Sequence, residues 1–242
     1  MKKLPTANYP IHNFLIPSLG REYRFRPFLV KENKALMIAQ GSEDQKVMIE
    51  TLKSVIQSCL MDETVNVDDL TVFDCEYLLI KLRAISIGEE ITVMLNCSDE
   101  HEGNEASRIF GVACDLNKVE VVGLEDYNPC IKLSDNLMIK MSAPTIDTLI
   151  SLTKNTENEY EENFKLIITL IKEIITTEEV IDCSEIEPKE LVDWVNELPT
   201  DEYEKILRFI QNLPKVRIKV EWDCPYCGKH NTRYLQGLMV FF

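Results

Sequence analysis

Apolar residues recur at helical spacing through the first third of the chain. Leu36, Met37 and Ile38 precede Gly41, and Val47, Leu52, Val55, Ile56 and Cys59 follow a Ser42/Gln45 pair that resembles a capping box. Asn66 with Asp69 repeats that start signal, and Leu70, Phe73, Tyr77, Ile80 and Ala84 carry the pattern to a stop before Gly88. Three helices are therefore expected between Lys31 and Ile87. The pattern then breaks into short β-like runs at Ile91–Asn96, Arg108–Val112, Lys118–Val122, Ile131–Leu133 and Leu137–Met141, with Ser134-Asp-Asn136 as a hairpin turn. Helical patterns return from Pro144 to Leu152, through the apolar run Phe164–Ile175, and from Pro188 and Thr200, the last halted by Pro214. Val216–Trp222 and Thr232–Val240 read as a closing pair of strands.

Before all of this, Pro5, Pro10, Pro17 and Pro27 interrupt residues 1–30, with Tyr9, Phe14, Tyr23, Phe25 and Phe28 between them. An irregular to extended arm is expected there. The sum is an α+β fold, with helical N- and C-terminal regions around short antiparallel β-hairpins and a C-terminal zinc-ribbon-like hairpin. Its expected segments are an arm at 1–30, a helical region at 31–87, a β-rich middle with a first knuckle at 88–143, a helical region at 144–214 and the ribbon-like hairpin at 215–242.

Composition narrows the function. The chain has 242 residues, 45% hydrophobic and 28% charged, which suits a packed core and argues against disorder. A net charge of −15 repels phosphate backbones, so protein partners fit better than nucleic acid. No apolar run approaches the roughly 18 residues a membrane span needs. Met1-Lys2-Lys3 is followed by Pro5, Asn8 and Tyr9 instead of an apolar stretch, so no signal peptide is expected. Eight scattered cysteines suggest reduced thiols in a cytoplasmic setting.

The most specific chemistry lies at Cys224-Pro-Tyr-Cys227-Gly228, between the two closing strands. Two thiolates two residues apart can grip a tetrahedral Zn²⁺ from a tight turn, and glycine supplies the turn's unusual dihedral. The expected second pair is Cys97 and His101, although a core thiol and a solvated histidine explain those residues equally well. His230 and Cys114 are the reserve ligands. Four protein ligands would leave no open position, so the zinc would be structural. No nucleophile elbow, HExxH motif or phosphate-cradling glycine loop occurs, and an enzyme is not expected. Arg83, near a helix end, is expected to be buried and paired with a carboxylate or with helix-terminal carbonyls.

Several segments together resemble the T-even-type myovirus baseplate proteins associated with assembly of the baseplate hub. They are Arg24-Phe-Arg26-Pro-Phe-Leu-Val-Lys-Glu-Asn-Lys-Ala-Leu-Met-Ile-Ala39; Asp74-Cys-Glu-Tyr through Leu82-Arg83 to Ser86-Ile-Gly88-Glu89; and a tail of Phe209-Ile-Gln-Asn-Leu-Pro214, the Cys224/Cys227 knuckle and Gly237-Leu to Phe241-Phe242. The resemblance implies a non-enzymatic protein of a contractile phage tail, built into or helping to build the central hub. Its partners would be other hub or tail proteins, with no nucleic acid and no membrane. Its place would be the host cytoplasm during assembly and, if it is retained in the particle, the virion tail baseplate. The chain departs from the family at the first knuckle, where Cys97 and His101 stand in place of paired cysteines. Asn8–Phe28 and Gly237–Phe242 are the expected contact surfaces, with Phe242 directed at a neighbour and Leu238 and Val240 on a strand. The alternative reading is a zinc-ribbon, nucleic-acid-associated phage regulatory protein, which the acidic balance disfavours.

Overall fold

The computed structural model describes residues 8–42, 44–97, 109–152, 159–237 and 240. Within the N-terminal arm, the expected extended stretch takes the form of an ordered hairpin. β1 (His12–Ile16) pairs antiparallel with β2 (Arg21–Phe25), so that His12 faces Phe25 and Ile16 faces Arg21. Two features permit this. Pro10 and Pro17 both fall outside the paired residues, and Gly20 takes a φ of 61° in the connecting turn. Ile16 and Phe25 are fully buried, so this hairpin is committed to its own core, while Ile11, Leu15 and Leu19 remain exposed.

Helices α1 (Val30–Gln40), α2 (Gln45–Cys59) and α3 (Val72–Ser86) follow. Two of their starts differ from the expected ones. Asp44, rather than Ser42, caps α2 by accepting from the Lys46 N–H. Asn66 caps only a short 3-10 turn, Val67–Asp69, and α3 begins afresh at Thr71. There the Thr71 side chain accepts from the Asp74 N–H at 3.2 Å, and the Asp74 carboxylate accepts from the Thr71 N–H at 3.1 Å. This reciprocal box outcompetes the weaker signal upstream. Asp74 is fully buried and also accepts the Ser18 N–H at 2.8 Å, so it fastens the first hairpin to α3. Thr71→Ala is expected to destabilise the chain by about 1 kcal/mol, the usual worth of an N-cap side chain, with urea denaturation as the check.

The chain continues through β3 (Glu90–Asn96), β4 (Ile109–Asp115), β5 (Glu120–Val122), β6 (Cys130–Lys132), β7 (Leu137–Met141), α4 (Ile146–Leu152), α5 (Glu159–Leu170), β8 (Ile171–Thr176) and β9 (Val180–Asp182). It ends with α6 (Pro188–Asn196), α7 (Thr200–Gln211), β10 (Lys215–Asp223) and β11 (His230–Gln236). The apolar run Phe164–Ile175 is not one helix. It changes to strand at Ile171, where Ile171, Ile174 and Ile175 supply a β-branched stretch that pairs with β7 on one side and β9 on the other. The sheets run β1-β2, β3-β4, β11-β10-β5 and β6-β7-β8-β9, and every pairing is antiparallel. The fold is thus mixed helix and sheet, built on small antiparallel sheets.

α3 is the central spacer. Its Leu78, Leu79 and Leu82 enter a core with Ile16, Phe25, Leu52 and Ile56, while Phe73, Ile80 and Ala84 enter a second core with Val93, Val112, Val216 and Ile218. A third core gathers Ile139, Ile167, Leu170, Leu191 and Ile206 around the four-stranded sheet. Arg83 departs from expectation. It is half-buried and makes no ion pair or side-chain hydrogen bond among the described residues, and burial alone pulls its guanidinium below the ordinary value. The basic stretch near the N-terminus has specific work. Arg24 pairs with Asp62 at 2.7 Å at the surface, and Arg26 is buried against Glu32.

Candidate metal centre

Three cysteines far apart in sequence converge at one end of the second core. Cys97 follows β3, and Cys224 follows β10 directly. Cys227 lies in the loop before β11. That loop closes on itself. The Cys224 N–H donates to the Lys229 carbonyl, and the Gly228 N–H donates to the Cys224 carbonyl, both at 2.8 Å. Gly228 takes a φ of 71°, a conformation a side chain would strain. The turn thereby aims both of its sulfurs to one side.

The Sγ atoms of Cys97, Cys224 and Cys227 all lie within 4.8 Å of one another, and Cys97 and Cys227 are 3.9 Å apart. Thiolates around tetrahedral zinc, with Zn–S bonds of about 2.3 Å, sit about 3.8 Å from each other. The spacing therefore suits one ion held between the sulfurs. Cys97 and Cys224 are buried and Cys227 is exposed, so the cluster is shielded on the core side and open at the tip.

The electrostatics single out the same group. Burial pushes the core thiols up, Cys59 to about 11 and Cys75 to about 12, and also raises Cys114 and Cys183. Cys224 goes the other way. Burial opposes its thiolate, but the N–H groups of Cys227 and Tyr226 directed at the sulfur outweigh it and lower the value. At Cys227 the Lys229 N–H favours the thiolate, yet loss of water and the neighbouring Cys224 and Cys97 sulfurs raise the value overall. Crowded sulfurs that compete for negative charge are what a cation would relieve.

Of the expected ligands, Cys97, Cys224 and Cys227 are brought together, and His101 lies outside the described residues. The reserve ligands stand apart. Cys114 packs in the second core, and His230 turns its Nδ1 to the Asp223 carboxylate at 2.9 Å. Asn231 had no place in the sequence reading. It is buried, donates from Nδ2 to the Lys229 carbonyl at 2.8 Å and accepts from the Cys97 thiol at 3.6 Å, so it steadies both the knuckle and the sulfur across from it. Only its position beside the knuckle hinted at this.

The described residues therefore define a mixed α+β chain whose middle and C-terminal hairpins meet at a cluster of three thiols able to hold a metal. No described helix is long and apolar enough to cross a membrane. The model of the T4 bacteriophage base plate protein family matches residues 8–242, and the chain belongs to that family. It is a protein of the phage baseplate. No curated protein and no solved structure matches it.

Proposed function

We propose that the chain is a non-enzymatic component of the baseplate's central hub, either a structural subunit or an assembly factor, acting through contacts with other tail proteins. The observation that carries this reading is the family match across residues 8–242, which spans all three cores. The hub-associated character of the resembling segments, above all Arg24–Ala39 and Asp74–Glu89, favours the centre of the baseplate. The chain works in the host cytoplasm during assembly and then in the virion tail.

Within that role the thiol cluster is a structural Zn²⁺ site. Cys97, Cys224 and Cys227 supply three ligands and His101 the fourth. Zinc there would fasten the β3–β4 hairpin to the β10–β11 hairpin, giving partners a rigid surface. Mass spectrometry of purified particles and of assembly intermediates tests the reading. The chain is expected in hub-containing intermediates at a fixed ratio to other tail proteins. Its absence from every tail fraction, or tight and salt-sensitive DNA binding by the purified protein, would overturn it.

A further inference from the structure

Away from the thiols, a recess of about 250 Å³ opens where the start of α3 meets the beginning of β10 and the end of β11. Val72, Phe73, Pro144 and Leu213 form apolar walls, and Glu76 projects from α3 into the lining. The volume lies below the roughly 300–1,000 Å³ of small-molecule sites, so it suits one long side chain better than a metabolite.

Glu76 is the feature the fold leaves unexplained. It is largely shielded from water, yet its carboxylate has no ion pair or hydrogen bond among the described residues. Burial alone pushes its carboxyl up to about 7. A carboxylate stripped of water without a partner costs stability, and such groups are normally paired. The one charged neighbour in the lining, Lys215 on β10, is exposed and forms no ion pair with it.

We propose that this recess is a socket for a cationic side chain, arginine above all, projected by another baseplate protein, with Glu76 as its counter-charge. Apolar walls would cover the aliphatic stem, and the planar guanidinium would meet the carboxylate in a site poor in water. Arginine is favoured for such buried interface pairs because its fork is pre-organised and weakly hydrated. The proposal rests on the reading of the chain as a baseplate subunit that acts through protein contacts.

The test uses the full chain labelled with ¹³C-glutamate and Nα-acetyl-arginine methylamide as the probe. The Glu76 carboxyl resonance, assigned by its absence in Glu76→Gln, is expected to shift saturably with the arginine probe. The neutral citrulline analogue should bind at least about tenfold more weakly. No saturable shift, or an equal response to citrulline, would overturn the socket. In phage supplied with equal amounts of both chains, Glu76→Gln is expected to enter baseplates several-fold less than wild type while keeping the same circular dichroism spectrum. Equal incorporation would also overturn it. Wild-type chain missing from baseplates would instead overturn the subunit reading, and the arginine titration would still decide the socket by itself.

Discussion

Cys224→Ser is expected to release about one zinc per chain and to lower the melting temperature by about 8–16 °C. The size follows from linkage. An ion present at about 1,000 times its dissociation constant stabilises the form that binds it by about 4 kcal/mol, and each kcal/mol moves the midpoint of a chain this long by about 2–4 °C. The sulfur of Cys224 cannot be spared, because its backbone cradle favours the thiolate and it stands next to β10, which runs through the second core. Cys97→Ser should do the same, since Cys97 is the thiol that reaches across from β3 to the other two. Cys114→Ser should leave the zinc in place. His101→Ala tests the proposed fourth ligand apart from the three thiols: undiminished zinc affinity would move that position elsewhere. Elemental analysis of the purified protein that finds no zinc would end the metal reading.

Arg26→Ala is expected to destabilise the chain by about 3 kcal/mol, at the low end of what breaking a buried ion pair costs. The Arg26 Nη2 lies 2.7 Å from Glu32 Oε1, and both side chains are buried. The other Glu32 oxygen accepts the Leu29 N–H at 2.9 Å at the start of α1, and Arg26 Nη1 donates to the Pro27 carbonyl at 3.0 Å. Removing the guanidinium leaves the buried carboxylate with only the Leu29 N–H and the exposed Lys31 ammonium at 3.4 Å, whereas replacing both partners by apolar residues should cost less. Acid has a related effect. Burial disfavours the Glu32 carboxylate, but Arg26 and the Leu29 N–H outweigh it and hold its value below the ordinary 4.5. A depressed carboxylate stabilises the fold fully above its unfolded value, and that contribution is lost as pH falls through the lower folded value. Wild type should therefore lose more stability than Arg26→Ala when urea midpoints are compared between neutral pH and about pH 3. Equal losses would show that the pair does not govern acid sensitivity.

The helices were legible because their signals are local. Pro188 opens α6 and Thr200 opens α7 at the residues the sequence marks, and the turn between β6 and β7 falls at Ser134-Asp-Asn136. The misreadings arose where tertiary pairing decided the outcome. Residues 164–175 are apolar enough for either state, and their division into α5 and β8 depends on neighbours β7 and β9 that are distant in sequence. Pro10, Pro17 and Pro27 signal irregularity, yet they fall outside the residues that pair. The last strand ends at Gln236, and Val240 lies beyond it in a short turn, half-exposed, instead of on a strand face. Leu238, Met239, Phe241 and Phe242 lie outside the described residues, so the expectation that Phe242 contacts a hub neighbour stands as a proposal.

For the site, the Cys224/Cys227 knuckle was legible because its spacing is itself the geometry. The choice of Cys97 as their companion rested on weaker ground, a cysteine after a strand, and the structure brings its sulfur to 3.9 Å from Cys227. The contribution of Asn231 could not be read, since a buried amide's value depends on which atoms surround it. Glu76 gave no signal at all and Arg83 pointed to a partner it lacks among the described residues, because a sequence does not show the absence of a partner.

Electron microscopy of baseplates from cells infected with phage in which this chain is interrupted tests the central claim most directly. Baseplates are expected either not to close or to lack density at their centre, and supplying the intact chain should restore it. Complete baseplates with an unaltered centre in the chain's absence would contradict a role in the hub.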